Sequence, residues 1–503
     1  MDRREFLQSL SVCAALSALP RSVLAQQVGI GALGSFVDAL KTKPWLLGFA
    51  GTSEAELRSP MTVAQGKVPN QLAGRLFRNG PAYHSLGNDR FEHWFDAPGM
   101  AQRFDISSQG IQHHGRYLAT NRNTQELEQQ RILFAGFGTS DPSLSNGGSA
   151  DGQNPANINF VEHADELLAL WEGGSAHRID PDTLITQGIK TWSPETAGLP
   201  FGAHPKKDQD GNMWNIGYSI APSALILYQV SPEGTLVQSH VVPMPNMRMV
   251  HDFVVTDSKV MVMLPPLEST PTGQGAFYDQ FRWEPQKSTE IWVFDKSDLN
   301  QFSVLEMDAF WVFHFGNAYD ISSTEIAFDF SMHDSPHYMD HVSYGVMDGS
   351  WDGGPASPSI YASGIVDLTK QSVKLERVSR LNNVEFLQTD PRHRLTQHRF
   401  VTMVGESGGA GRYGFDRLMV LDRQSDAVHF YDAHEHEMLE EHVMVPKPGG
   451  GDDFWIVGTS LHWGEQRTYL SIYEGQAVGG GPICRAFLDY ALPLGLHGLF
   501  LSA

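Results

Sequence analysis

Cysteine is close to absent: the 503 residues contain 2, Cys13 and Cys484. Cys13 falls in an N-terminal apolar run, so a chain trimmed after residue 25 keeps Cys484 alone and can form no intrachain disulfide. Stability then has to come from core burial or a bound metal. Basic residues are also scarce, 36 Lys and Arg against 58 Asp and Glu for a net charge of -22, with no basic cluster beyond the first few positions. Nucleic acid is thereby excluded as a partner, because phosphate binding needs cations gathered on one face. No internal run approaches the roughly 18 apolar residues that a membrane-spanning helix needs. Several catalytic signatures are missing as well. There is no G-x-S-x-G elbow, Gly405 to Gly414 lacks the Lys-Ser/Thr ending of a phosphate loop, and the histidine-rich Ala433 to His442 has neither H-E-x-x-H nor H-x-x-E-H spacing.

What is abundant is glycine, 49 residues, proline, 28, and aromatic side chains at 11%, with only 19% charged residues. From about Val63 short apolar runs alternate with Gly, Pro, Asn and Asp turns, as in Ala224 to Val230, Val260 to Leu264, Glu290 to Asp295 and Asp416 to Asp422. This pattern predicts an all-β fold. At about 150 residues per domain the length would give three domains, but blades stacked around one axis escape that prior. No linker divides the chain, so residues 63–503 read as one body.

The N-terminus reads as an export signal over residues 1–25: Arg3-Arg4 followed by Phe6-Leu7, an apolar run from Leu10 to Leu19, and the small-residue site Val23-Leu24-Ala25. It predicts twin-arginine export to the periplasm. Val12 before Cys13 is too bulky for lipoprotein processing. Residues 26–62 form an apolar N-terminal segment with Trp45-Leu46-Leu47 at its centre. It reads equally as a helix and loop docked on the body or as a patch in peripheral contact with a membrane.

Four histidines stand in apolar or small surroundings: His204 after Phe201-Gly-Ala, His251 in Met249 to Val255, His314 in WVFHFGNAYD, and His497 in Leu492 to Gly498. A buried imidazole must be hydrogen-bonded or metal-bound. Taken alone, His314 reads as a satisfied core histidine or as a ligand. The four are 47, 63 and 183 residues apart, too far for one helix but suited to one ligand from each of several blades. His333, His337 and His341 are four apart, but Pro336 and the neighbouring Asp-Ser argue for a loop facing water or a short helix start, and Ala433 to His442 reads as a polar turn.

Ordered motifs run through the chain: Gly74-Arg-Leu-Phe-Arg-Asn-Gly-Pro81, His93-Trp-Phe-Asp-Ala-Pro-Gly-Met100, Asn154 to Asn159, Leu167 to Gly174, His314-Phe-Gly-Asn-Ala318 and His497-Gly498. Together they resemble the carotenoid cleavage oxygenase family over most of the chain from about residue 70. The resemblance implies a seven-bladed β-propeller with a helical and loop dome over the metal face. It implies iron(II) held by His204, His251, His314 and His497, with Glu172, Glu385 and Glu441 orienting His251, His314 and His497 in turn. Glu437 and Glu440 lie one register shift from Glu441 and compete for its place. The implied partners are dioxygen and an apolar conjugated molecule, a carotenoid or apocarotenoid whose C=C bond is cleaved; no protein acid or nucleophile is required. The oligomeric state is open.

Ala97-Pro98, Leu387 and Leu494-Gly-Leu496 depart from the family pattern without removing a ligand. Stilbenoid-cleaving members use a Tyr and a Lys on the phenol. Tyr117 stands near the first position, but no Lys occurs between Lys67 and Lys190. A stilbenoid-cleaving or polyene-ester-isomerising enzyme with the same iron site, and a non-catalytic propeller that binds an apolar ligand, are the alternatives. Trp311, Phe313, Phe315 and Tyr319 are the expected tunnel aromatics, half of them turned away by strand alternation.

Overall fold

The computed structural model describes residues 29–270, 275–353, 358–407 and 413–503. The expected export signal and Cys13 lie outside them.

Seven antiparallel sheets follow one another along the chain, each of four or five strands, and form the blades of a β-propeller. The inner strands of blades 2 to 7 are Asn159–His163, Lys206–Lys207, Val254–Val255, Trp311–Ser322, Val384–Thr389 and Glu437–Pro446. Blade 1 takes its inner strand, His497–Ser502, from the C-terminal end of the chain, paired with Gly74–Asn79. Residues from all seven of these strands, or from the turns entering them, line a single channel, which is the propeller axis.

Residue type follows radial position. Middle strands such as Ala224–Val230 and Phe454–His462 are apolar and buried on both faces, because each blade packs between two others. Outer strands such as Ser372–Asn382 and Leu236–Pro243 alternate between exposed and half-buried residues. The ring is closed from both directions. Glu56–Pro60 pairs with Gly110–Tyr117 at the outer edge of blade 1, and Thr62–Gly66 pairs with Pro482–Phe487 at the outer edge of blade 7. The propeller therefore starts at Glu56, a few residues ahead of the position read from the sequence.

The dome is built from loops and short helices. Leu33–Leu40 and the turn Pro44–Phe49 pack over the face, burying Trp45, Leu46, Leu47 and Phe49. Trp45 stacks on Tyr413 at 5.6 Å and Phe49 meets Trp94 edge-on at 5.3 Å. Of the two readings of this segment, the docked one describes its central residues. No helix among the described residues is long and apolar enough to cross a membrane. One carboxylate organises another part of the dome: Asp96, fully buried, accepts hydrogen bonds from the backbone N–H groups of Phe137, Gly138 and Thr139 and from the Thr139 hydroxyl. That network fixes the loop that carries Phe137.

Candidate metal centre

The four histidines meet on the axis. His204 and His251 sit at the entrances to the short inner strands of blades 3 and 4, His497 opens the inner strand of blade 1, and His314 interrupts that of blade 5. Their ligand nitrogens lie within 4.8 Å of one another. His204 Nε2 is 3.0 Å from His251 Nε2, which is 3.3 Å from His314 Nε2. The His497 ring centroid is 4.7 Å from those of both His204 and His314.

Bulges aim the side chains. Ladder pairing slips between Val312 and Phe315, between Glu385 and Gln388, and between Leu439 and His442. His314, Glu385 and Glu441 each stand at one of these slips, where an extra residue breaks the two-residue alternation and re-aims the neighbouring side chains. At the second slip Phe386 takes φ +56°, a left-handed backbone that a non-glycine side chain adopts only under constraint. Its ring stacks on His314 at 5.2 Å.

Three carboxylates stand behind the ring. Glu385 Oε2 lies 2.6 Å from His314 Nδ1, Glu441 Oε1 3.1 Å from His497 Nδ1, and Glu172 Oε1 3.4 Å from His251 Nδ1. The first two are hydrogen bonds and the third is an ion-pair contact. Glu437 and Glu440, the competitors of Glu441, turn elsewhere: Glu437 accepts from Ser460, and Glu440 pairs with Arg78 at 3.1 Å. Among the described residues His204 has no carboxylate partner.

Burial sets the electrostatics. Desolvation, reinforced by the other imidazoles, holds His204 well below the ordinary histidine pKa. Burial likewise lowers His314 to about 4 despite the opposing pull of Glu385. At His251 the desolvation penalty is outweighed by Glu172, and the net shift is upward. Burial pushes the carboxyls of Glu385 and Glu441 up, but contact with His314 and His333 in one case and His497 in the other wins and holds both below the usual range.

The donor set fits a metal ion. A carboxylate facing Nδ1 fixes the proton there and leaves Nε2 as a bare lone pair. Three such lone pairs and a fourth imidazole crowd one point, an arrangement that repels unless a cation occupies it. Two nitrogens about 2.1 Å from one ion and roughly 90° apart stand about 3.0 Å from each other, the spacing seen between His204 and His251. Four neutral ligands leave the ion its full charge and open coordination positions. The centre lies between the axial channel and a second, mostly apolar cavity under the dome.

A family model described as RPE65, retinal pigment epithelial membrane protein, matches residues 50–502. The chain belongs to this RPE65 family. Among its relatives, the apocarotenoid-15,15'-oxygenase of Synechocystis is 26% identical over 90% of this chain and 95% of its own. An isoeugenol monooxygenase of Pseudomonas nitroreducens is 22% identical over 87% and 93%, and resveratrol cleavage oxygenase 1 of Aspergillus fumigatus 22% over 92% and 96%. The solved structure of cobalt-substituted Synechocystis ACO superposes with a TM-score of 0.81 at 25% identity, over 92% of this chain and 98% of that one.

Half of the four expected tunnel aromatics reach these spaces: Phe313 lines the dome cavity and Phe315 the axial channel, whereas Trp311 and Tyr319 line neither. All four share one parity, so the register slips after Val312 and Phe315, rather than strand alternation, separate them. Other expectations need correction. Tyr117 is buried away from the cavity, donating to the Thr52 carbonyl and stacking on Tyr83. His333 does not face water. It ends the strand Glu325–His333, is 2% exposed, and places Nε2 2.6 Å from Glu385 Oε1, so one carboxylate is shared by two imidazoles. His337 and His341 do stand apart, paired at 5.2 Å on a helical turn. The segment read as a polar turn contributes the buried strand Glu437–Pro446.

Proposed function

We propose that this RPE65-family enzyme is a non-haem iron(II) dioxygenase that cleaves a C=C bond of a carotenoid or apocarotenoid, with His204, His251, His314 and His497 as the iron ligands and Glu172, Glu385 and Glu441 orienting three of them. The enzyme is of the carotenoid oxygenase type. The observation that carries this reading is a four-histidine centre opening onto a dome cavity walled by Trp94, Phe95, Phe137, Trp171, Phe313 and Leu496.

The reaction balances without a further reductant: the double bond breaks, and each carbon receives one oxygen atom of dioxygen as a carbonyl. When bound, iron supplies the electron transfer that activates dioxygen. The chain's own part is positional. The carboxylates hold three imidazoles in the tautomer that presents Nε2, and the aromatic walls align a flat conjugated substrate and exclude water. No general acid is called for. The names of the apocarotenoid and isoeugenol enzymes support a conjugated apolar substrate. The stilbenoid reading loses Tyr117 as its phenol contact, since that side chain is remote from the cavity.

The test is cleavage of an apocarotenal by iron-loaded protein, with mass spectra showing both labelled oxygen atoms in the two carbonyl products. Loaded protein that binds the polyene without cleaving it would favour the ligand-binding propeller instead. Export to the periplasm by the twin-arginine route rests on residues 1–25 alone. Replacing Arg3 and Arg4 with lysine should retain the protein in the cytoplasm, and unchanged export would reject that route.

A further inference from the structure

The dome cavity carries a polar feature that neither the metal centre nor the fold uses. Tyr338 begins the helical turn Tyr338–Val342 inserted in blade 5, and Tyr413 lies in the loop between Phe400–Gly405 and Arg417–Asp422 of blade 6. Both line the cavity, and their hydroxyls meet at 2.8 Å. The rings are clamped by aromatics: Tyr338 stacks on Phe95 at 5.9 Å, and Tyr413 stacks on Trp45 at 5.6 Å with Phe49 edge-on at 5.0 Å. Two phenols carry two hydroxyl protons and several lone pairs. One proton bridges them, and neither hydroxyl has another hydrogen-bond partner among the described residues. The pair therefore keeps one donor and spare acceptor capacity beside an apolar space.

The carboxylates and imidazoles of the wall are occupied, whereas the Trp94 indole N–H has no hydrogen-bond partner among the described residues and is a second spare donor. Glu172, Glu385 and the histidines form the metal centre, Glu440 is engaged by Arg78 and Thr459, and Glu406, which is itself engaged, acts electrostatically on both phenols without a hydrogen bond to either among the described residues. Burial pushes both phenol pKa values upward, so the hydroxyls stay protonated and neutral. The pair is also near the reacting end of the cavity. Phe313 bridges them, 6.3 Å from Tyr338 and 5.6 Å from His251.

We propose that the Tyr338–Tyr413 hydroxyl pair is a polar subsite of this cavity and selects conjugated substrates that carry oxygen, as a phenol, alcohol or carbonyl, at the end lodged beside it. A hydrocarbon end would leave the spare hydroxyl proton facing carbon. An oxygenated end satisfies it and finds its own polar atom paired. The subsite refines the dioxygenase reading, on which it rests, by narrowing the substrate to molecules with an oxygenated terminus. Apocarotenals and hydroxystilbenes both carry that chemistry.

The experiment uses matched probes: an apocarotenal and its deoxygenated hydrocarbon, and para-hydroxystilbene and stilbene. Binding to iron-free full-length protein is followed by tryptophan fluorescence, which needs no turnover, and thermal melts confirm that Tyr338→Phe, Tyr413→Phe and the double variant are folded. Wild type should prefer the oxygenated member of at least one pair by about tenfold, the worth of one buried hydrogen bond. The double variant should lose that preference, and with loaded enzyme the loss should fall on KM rather than kcat. The pair that shows the larger preference tells an apocarotenoid from a phenolic substrate. Equal affinity within both pairs, or a preference that survives in the double variant, overturns the subsite. Preference without cleavage refutes the dioxygenase reading and leaves the subsite standing, whereas cleavage without preference does the reverse. Failure of every probe to bind overturns both.

Discussion

Glu385 is the group whose replacement reports most sharply on how the metal centre is held. It is 4% exposed and accepts three N–H groups: His314 Nδ1 at 2.6 Å and the Phe386 backbone at 2.9 Å on Oε2, and His333 Nε2 at 2.6 Å on Oε1. Glu385→Gln can keep its carbonyl oxygen on the Oε2 side, so His314 remains oriented but its hydrogen bond loses the charge. A charged bond exceeds a neutral one by about 1–1.5 kcal/mol, which corresponds to roughly tenfold in metal affinity. Glu385→Ala also frees the ring to rotate or change tautomer, and a loss of about 100-fold is expected, the upper end for a group behind a ligand. The assay is competition for cobalt(II) against a chromophoric chelator, with melts of the metal-free variants to separate affinity from folding. The order wild type, Gln, Ala is the prediction. An alanine variant within twofold of wild type, or a glutamine variant weaker than alanine, would refute the reasoning.

Other expectations concern the surrounding network. His333→Ala leaves Glu385 Oε1 buried and unpaired, so the metal-free protein should lose about 2–3 kcal/mol in urea melts, and His333→Gln should recover part of it. Arg78→Ala removes the countercharge of buried Glu440, and unfolding free energy should fall by about 3–5 kcal/mol. Adding Glu440→Gln should restore some of that loss; no restoration would mean that the pair is not the cause. His113, lowered by burial to about 3 from an ordinary 6.5, stays neutral in the fold but protonates when unfolded. Because the unfolded chain binds the extra proton, stability is complete above pH 6.5 and drains as pH falls toward 3. His113→Gln should flatten that limb by about 1.4 kcal/mol per pH unit, measured in urea melts at several pH values.

The propeller was legible because blade chemistry is local: apolar runs separated by turn residues need no partner to be recognised as strands. The four histidines were legible through their apolar surroundings and the motifs that accompany them. Spacings of 47 and 63 residues carry no periodicity of their own. What escaped was set by pairing across blades. His333 looks like one of three histidines in a polar loop, and only the fold brings it across to Glu385 from 52 residues away. Glu437, Glu440 and Glu441 make their segment look solvent-exposed, but Ser460, Arg78 and His497 satisfy them from other strands. Arg78, the second arginine of the Gly74 to Pro81 motif, was the available signal that a buried acid waited elsewhere. Trp45 could not be assigned to core or membrane from hydropathy, because both take the same residues; its stacking partner Tyr413 comes from a loop of blade 6, far along the chain.

The most direct test of the metal centre is X-ray absorption at the iron edge of anaerobically loaded protein, with metal content measured on the same sample. The account predicts about one iron per chain and a shell of four imidazole nitrogens near 2.1 Å, disrupted in His314→Ala. A shell dominated by carboxylate oxygen, or one that His314→Ala leaves unchanged, would contradict it.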